Sequence, residues 1–374
     1  MSAVFLYGTL RHLPLLRIVI GDEADGAVQA EVPDHAVLGA EGQDFPLIAA
    51  RPGAVAQGLL LSQLSQTALE RMDFYEAGFA YDRRPVQAVA GGVPCAATVF
   101  FPDAGAWHAG PPWSLEDWVE TWGPVAERAA SQIMARFGAT TAAQIARFRP
   151  QIWSRAASWV RARSAGRPVR VRRGYDDANV ETCSTERPYD KYFMLEERNV
   201  RFRRFDGGLG GPVARAAFVS GDAVTVLPYD PVRDRVMLIE QFRFGPYVRG
   251  DRCPWSLEPI AGRIDAGETP EACARREAGE EAGLALDRLE PVARYYPSPG
   301  AVTEYLFSYV GIADLTDGVA GLGGVEDESE DIRSILMSFD ALMQLLTTGE
   351  AENGPLILSA LWLAANRDRL RAGA

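Results

Sequence analysis

Between Gly262 and Leu284 the chain reads GRIDAGETPEACARREAGEEAGL, and its acidic residues are spaced to hold a cation. Glu277 and Glu281 are four residues apart and Glu280 is three from Glu277, so on a helix the three carboxylates share one face. Unpartnered, such like-charged pairs repel by about 0.2–0.5 kcal/mol each. A hard divalent cation, Mg²⁺ or Mn²⁺, removes that penalty and prefers oxygen ligands. The spacing predicts a helix over 270–282, with Thr269 as N-cap, Pro270 as first helical residue and Gly283 just past the end. Arg276 follows Glu268 by two helical turns, near enough to pair with it and brace the loop between them. Ala274, Ala278 and Ala282 form a small apolar face that lets the helix lie close to a sheet. A merely solvated acidic helix has no need of Gly262, Glu268, Arg276 and Gly283 at these fixed distances. Histidine is not available as a nearby base, because His12, His35 and His108 all fall in the first third of the chain.

The elements that must position these residues can be read from pattern. The 374 residues are enough for two or more domains with their own cores. Residues 1–104 are strand-rich, with VFLYGTL, GLLL, PVQAVAG and AATVFFP as short runs divided by Gly and Pro. Residues 105–179 turn helical, with Trp118, Trp122, Val125, Ala129 and Ile133 at helical spacing and Ile145 and Phe148 beyond them. Pro150 is expected to interrupt the second helix, and RSAGRPVRVRRGYDDANVETCSTERP reads as a linker. Residues 180–374 should carry strands near 216–227, 235–243, 291–296 and 304–312, the acidic helix, and a last helix near 355–370. The fold class expected is thus α/β (α+β). A net charge of −12 excludes the basic field of a nucleic-acid binder. Cys95, Cys183, Cys253 and Cys273 are scattered, without metal-site or disulfide spacing. With no signal-peptide pattern and no apolar run of spanning length, no membrane partner and a cytoplasmic location are expected.

The 262–284 segment matches the Nudix box, G-x5-E-x7-R-E-U-x-E-E-x-G-U, at every position. With VLPYDPVRDRVMLIEQFRFGPY before it, YYPSPGAVTEYLFSYVG after it and EDESEDIR further on, nearly all of 190–370 resembles the ADP-ribose pyrophosphatases of that superfamily. The resemblance implies an α/β/α sandwich with a mixed sheet, and Mg²⁺-dependent hydrolysis of a nucleotide-sugar, ADP-ribose, to AMP and ribose 5-phosphate. Another nucleoside diphosphate sugar or dinucleotide (ADP-glucose, GDP-mannose, NADH) and a non-catalytic ADP-ribose sensor are the alternatives. By that resemblance Glu277, Glu281, Glu330 and the Ala261 carbonyl ligate metal, with Glu280 close by, and Glu328 is the candidate general base. Arg215 and Arg243 grip the pyrophosphate or its surroundings, Tyr192 stacks on adenine, and Glu304 lies near the distal ribose. A homodimer is implied, with 196–208 crossing to the partner.

FLYGTLR at 5–11 and ERMDFYEAGFAYDRRPV at 70–86 resemble the γ-glutamylcyclotransferase-like (AIG2-like) family. A small mixed β-barrel is implied, with Tyr7, Gly8, Thr9 and Leu10 forming a turn whose N–H groups hold a substrate carboxylate. Glu76 matches that family's acid/base glutamate, and Tyr81 and Arg83 continue the pattern; Ala77 stands where the family usually has glycine. The N-terminal part is then either a γ-glutamyl cyclotransferase or a degenerate copy. The two-part arrangement also resembles bacterial Nudix proteins grouped by tellurite resistance, although no residue here suggests tellurium chemistry.

Overall fold

Five strands close on themselves in the N-terminal unit, which comprises residues 1–165. They are β1 (Val4–Leu6), β2 (Val28–Ala40), β3 (Pro46–Leu61), β4 (Tyr81–Ala90) and β5 (Val93–Pro102). The ring runs β3-β1-β5-β4-β2 and returns to β3, with β6 (Ala109–Pro112) added on β2. Among the described residues of this ring only β1 and β5 pair in parallel. The β4–β5 hairpin turns on Gly91 and Gly92, both at positive φ (56° and 80°), which suits the tight turn that matches strand twist. The barrel core is Phe5, Val32, Ile48, Leu60 and Val99 with their neighbours. Helices α1 (Leu13–Ile20), α2 (Gln66–Glu76), α3 (Leu115–Met134) and α4 (Ala142–Ser164) complete the unit. The computed structural model describes residues 3–77, 79, 81–166, 168–324 and 331–373.

Two sequence expectations are revised here. Pro150 does not break α4, which runs through it; a proline removes one N–H from the ladder, and the capping box at Thr141 and Gln144 and buried Ile145, Ile152 and Ala156 hold the helix on either side. The stretch read as linker contains a strand, β7 (Val180–Asp190). The expected α3 face does point inward, with Trp118, Val125, Ala129 and Ile133 buried.

The second unit comprises residues 166–374. In it β7, β8 (Met194–Phe202) and β9 (Val213–Val219) form an antiparallel sheet. The larger sheet has the order β14-β15-β10-β11-β17-β16, from β10 (Ala223–Asp230), β11 (Arg235–Phe242), β14 (Arg288–Tyr295), β15 (Leu306–Ile312), β16 (Leu322–Gly323) and β17 (Ile332–Ser338). Short strands β12 (Trp255–Glu258) and β13 (Ile260–Arg263) pair with β11 and β10. The run expected as one strand at 216–227 is split between the two sheets. The larger sheet is mixed, since β10 and β15 are parallel and the other pairs antiparallel. A short helix, α5 (Phe244–Arg249), follows β11.

Alternation along the strands gives this sheet two buried faces. Val224, Val226, Met237 and Ile239 pack with Cys273, Ala274 and Ala278 of α6 (Pro270–Ala282). Leu227, Tyr229, Val236 and Leu238 pack with Leu342 of α7 (Phe339–Thr348) and Leu356, Ala360 and Leu363 of α8 (Gly354–Ala372). Helices on both faces make the α/β/α sandwich. Arg367 near the end of α8 pairs with Asp234 in the β10–β11 turn, and the Arg367, Tyr229 and Arg371 contacts hold that carboxyl down at about 2.

Candidate functional site

Local chemistry fixes α6 as the spacing predicts. The Thr269 side chain accepts from Ala272 N–H at 3.1 Å, Pro270 begins the helix, and Gly283 takes the left-handed conformation after it. Arg276 organises the polar face. Its Nε and Nη2 meet both oxygens of Glu268 at 3.0 and 3.1 Å, while Nη1 reaches Glu277 at 2.7 Å and Glu280 at 2.8 Å. Nη2 also donates to the Arg263 carbonyl, so one guanidinium ties the helix to the loop and strand before it. These contacts, led by Glu268, raise the Arg276 pKa further above its ordinary value.

Glu281 is buried, and its Oε2 accepts from the Ala261 N–H at 3.1 Å. Gly262 next to it has no substitute: a Cβ there would lie 1.9 Å from the Glu277 Cδ. Close approach of β13 and α6 thus sets carboxylates beside main-chain groups of Ala261 and Gly262. An all-oxygen donor set of this kind fits a hard divalent cation. Among the described residues no three acidic, histidine or cysteine side chains converge as a metal cage. Glu277 and Glu280 share Arg276, and Glu328 and Glu330 lie outside the described residues.

Next to Ala261 and Gly262 is a cavity of about 310 Å³, whose wall includes Arg243, Glu258, Arg263, Glu304 and Asn353. Arg243 and Glu258 form a fork-to-fork pair at 2.6–3.2 Å, with the carboxylate buried. Burial raises the Glu304 carboxyl against the pull of Arg263 and Arg243. A second hollow of about 1180 Å³ shares Arg243, Glu258 and Asn353 and adds Arg249, Trp255 and Arg333. The Arg263 guanidinium lies 4.7 Å from the Tyr192 ring centre and 5.1 Å from that of Phe193.

Of the residues expected to act together, Ala261, Arg243 and Glu304 share one cavity, and Tyr192 is linked to it through Arg263. Arg215 does not line it among the described residues; it is exposed on β9 with Nη1 on the Ala214 carbonyl. Sequence reasoning missed Glu258 and Arg263. Their signal was present, as Arg263 lies inside the box and Glu258 three residues before Ala261 on the strand paired with Arg243's neighbours.

In the N-terminal unit Tyr7, Gly8, Thr9 and Leu10 line a small pocket with Phe45, Pro46, Glu76, Phe79 and Tyr81. Its free volume is about 30 Å³, room for one water. Glu76 ends α2 and is buried there, which pushes its carboxyl up to about 7 against the opposing pull of Arg149. Tyr81 donates to the Pro46 carbonyl at 2.7 Å. The Tyr7 hydroxyl is buried, has no described partner in good hydrogen-bond geometry, and is raised by burial and by Tyr81 and Glu76.

Comparison with known proteins follows the same division. Residues 219–359 match the NUDIX domain model, and residues 4–120 match that of gamma-glutamyl cyclotransferase, AIG2-like. The chain is 39% identical over 193 residues to the ADP-ribose pyrophosphatase of Escherichia coli K12, covering 52% of this chain and 91% of that one. It is 32% identical to the ADP-ribose pyrophosphatase of Haemophilus influenzae, covering 53% and 91%. A GDP-mannose pyrophosphatase of Enterobacter sp. 638 is 34% identical over 46% of this chain and 89% of its own.

Proposed function

We propose that this chain, which belongs to the Nudix family, hydrolyses the pyrophosphate of ADP-ribose to AMP and ribose 5-phosphate with Mg²⁺ as its cation. The carrying observation is that Ala261 and Gly262, against which Glu281 and Glu277 are held, line a cavity whose other walls hold Arg243, Arg263 and Glu304. Nudix hydrolases generally use divalent metal ions. A bound cation neutralises phosphate oxygens and the charge that develops on the leaving phosphate. Glu277, Glu281, Glu330 and the Ala261 carbonyl would hold it. Glu328 takes the proton of the attacking water, a role to which Glu280 is the alternative. Arg243, held by Glu258, brings positive charge to the pyrophosphate, and Glu304 faces the distal ribose. Tyr192 offers a ring to adenine, and Arg215 completes the grip in a homodimer. A panel of ADP-ribose, ADP-glucose, GDP-mannose and NADH, assayed with Mg²⁺ and with EDTA, tests the reading. Preferred turnover of another member reassigns the substrate, and Mg²⁺-independent binding without cleavage makes the protein a sensor.

A second activity is favoured by one observation, the buried Glu76 with a carboxyl near 7 beside the Tyr7–Leu10 turn. A base of that strength can take the proton of a γ-glutamyl α-amino group as its nitrogen attacks the γ-carbonyl. The lactam C–N bond forms, the γ-amide C–N bond breaks, and the proton passes to the departing amine. Release of 5-oxoproline from γ-glutamyl amino acids by the full chain tests this.

A further inference from the structure

The cyclotransferase-like match ends at residue 120, yet a charged group from beyond it reaches the N-terminal pocket. Arg149, in the middle of α4, donates from Nη2 to the carbonyl of Tyr75, the residue before Glu76, at 2.9 Å. Its guanidinium carbon lies 4.1 Å from the ring centre of Phe79 and 5.9 Å from that of Tyr75. Phe79 in turn lines the pocket, and its carbonyl accepts from the Trp107 indole at 2.7 Å. Thus one side chain of α4 touches Tyr75, just before Glu76, and Phe79, three residues after it. The Arg149 Nε and Nη1 atoms are buried and have no hydrogen-bond partner among the described residues. A buried cation with two idle donors is costly unless its field is used.

We propose that Arg149 is a positioning residue for Glu76: it fastens the end of α2 and faces the carboxyl with the counter-charge that keeps it ionisable. This rests on the reading of Glu76 as the working base of the N-terminal pocket. The electrostatics agree with the geometry. Around Glu76 stand Tyr7 from the end of β1, Tyr81 from β4, Tyr75 on its own helix and Arg149 from α4, and Asp44 in the β2–β3 loop faces Tyr75 and Arg149. Arg149 is the cation among them, and it acts on Glu76, Tyr75 and Asp44 together. Burial alone would carry the Glu76 carboxyl higher; Arg149 pulls it down toward neutrality. Without that counter-charge the protonated form of Glu76 gains at the expense of the ionised form that accepts a proton.

The test uses the full chain labelled with ¹³C at the glutamate side-chain carboxyl, with Glu76→Gln identifying the Glu76 signal. Its titration midpoint is followed by NMR in wild type, Arg149→Gln and Arg149→Lys. The glutamine keeps a donor for the Tyr75 carbonyl and loses the charge; the lysine keeps a charge but loses the flat face over Phe79. The midpoint is expected to rise by about one unit or more in Arg149→Gln and by a smaller step in Arg149→Lys. No movement in whichever variant folds overturns the proposal, because a residue that only packs would leave the midpoint in place. 5-Oxoproline release is measured on the same samples, and the acid limb of its pH profile should move with the midpoint. A shifted midpoint in a chain that releases no 5-oxoproline leaves Arg149 as the positioning residue and removes the cyclotransferase reading instead.

Discussion

The two units use the same functional group, a glutamate carboxyl, in opposite surroundings. In the N-terminal pocket one carboxyl sits among Phe45, Phe79 and Tyr81, with room for a single water, and burial pushes it up to about 7. On α6 of the second unit several carboxylates crowd one helix face, and Arg276 holds Glu268, Glu277 and Glu280 together. One environment makes an isolated proton acceptor, and the other makes a ligand set that binds a cation best when ionised. Arginine serves both, by a stacked contact and a single main-chain bond at Arg149 and by a branched network at Arg276. Carboxylate chemistry is thus decided by what surrounds the group.

The contrast can be broken most severely at Glu281. Replacing it with Gln removes the buried charge beside Ala261, and a loss of several kcal/mol of transition-state stabilisation corresponds to about a 10³-fold drop in ADP-ribose turnover. Steady-state rates at saturating Mg²⁺ check this, and retained turnover would remove Glu281 from the site. In the same comparison EDTA should stop ADP-ribose hydrolysis while 5-oxoproline release continues. Gly262→Ala should cost about 10²-fold in kcat, because the added methyl displaces the Glu277 carboxyl on the scale of an ångström. Full activity with an undisturbed fold would show that Glu277 has freedom which the close strand–helix approach denies. Arg243→Lys is milder: a point charge replaces the fork that meets Glu258, and kcat/KM should fall about tenfold, mostly through KM.

Legibility differed between the units for physical reasons. The box helix was readable to the residue, because its caps, its i,i+4 carboxylates and its flanking glycines are all local signals within 23 residues. The sandwich around it was readable in outline, since strands with two buried faces carry continuous apolar runs. The split of 216–227 did carry a signal, since the polar turn formers Ser220, Gly221 and Asp222 separate Val219, which ends one sheet's strand, from Ala223, which begins the other's. Arg149 carried no signal at all. Its role depends on α4 returning to the end of α2, 74 residues away in sequence, and an arginine in a helix full of arginines reads as surface. Arg263 and Glu258 lie between these extremes, close in sequence to the box but given meaning only by the cavity they share.

The remaining effect is in stability and not in rate, and it tests whether burial alone sets the character of Glu76. Its carboxyl is near 7 in the folded chain against an ordinary 4.5. Between those values the native state keeps a proton that the unfolded state has released, so stability falls as pH rises from about 4.5 to 7 and stays low above it. The full cost at pH 8 is on the order of 3 kcal/mol for a shift of this size, and below pH 4.5 it vanishes. Gln at position 76 is neutral throughout and escapes the penalty. Glu76→Gln should therefore unfold several degrees above wild type at pH 8 and together with it at pH 4, at roughly 2–4 °C per kcal/mol. Thermal unfolding of the N-terminal transition at both pH values checks this. A difference that does not grow with pH would mean that Glu76 is ionised at little cost, and the contrast between the two carboxylate environments would fail with it.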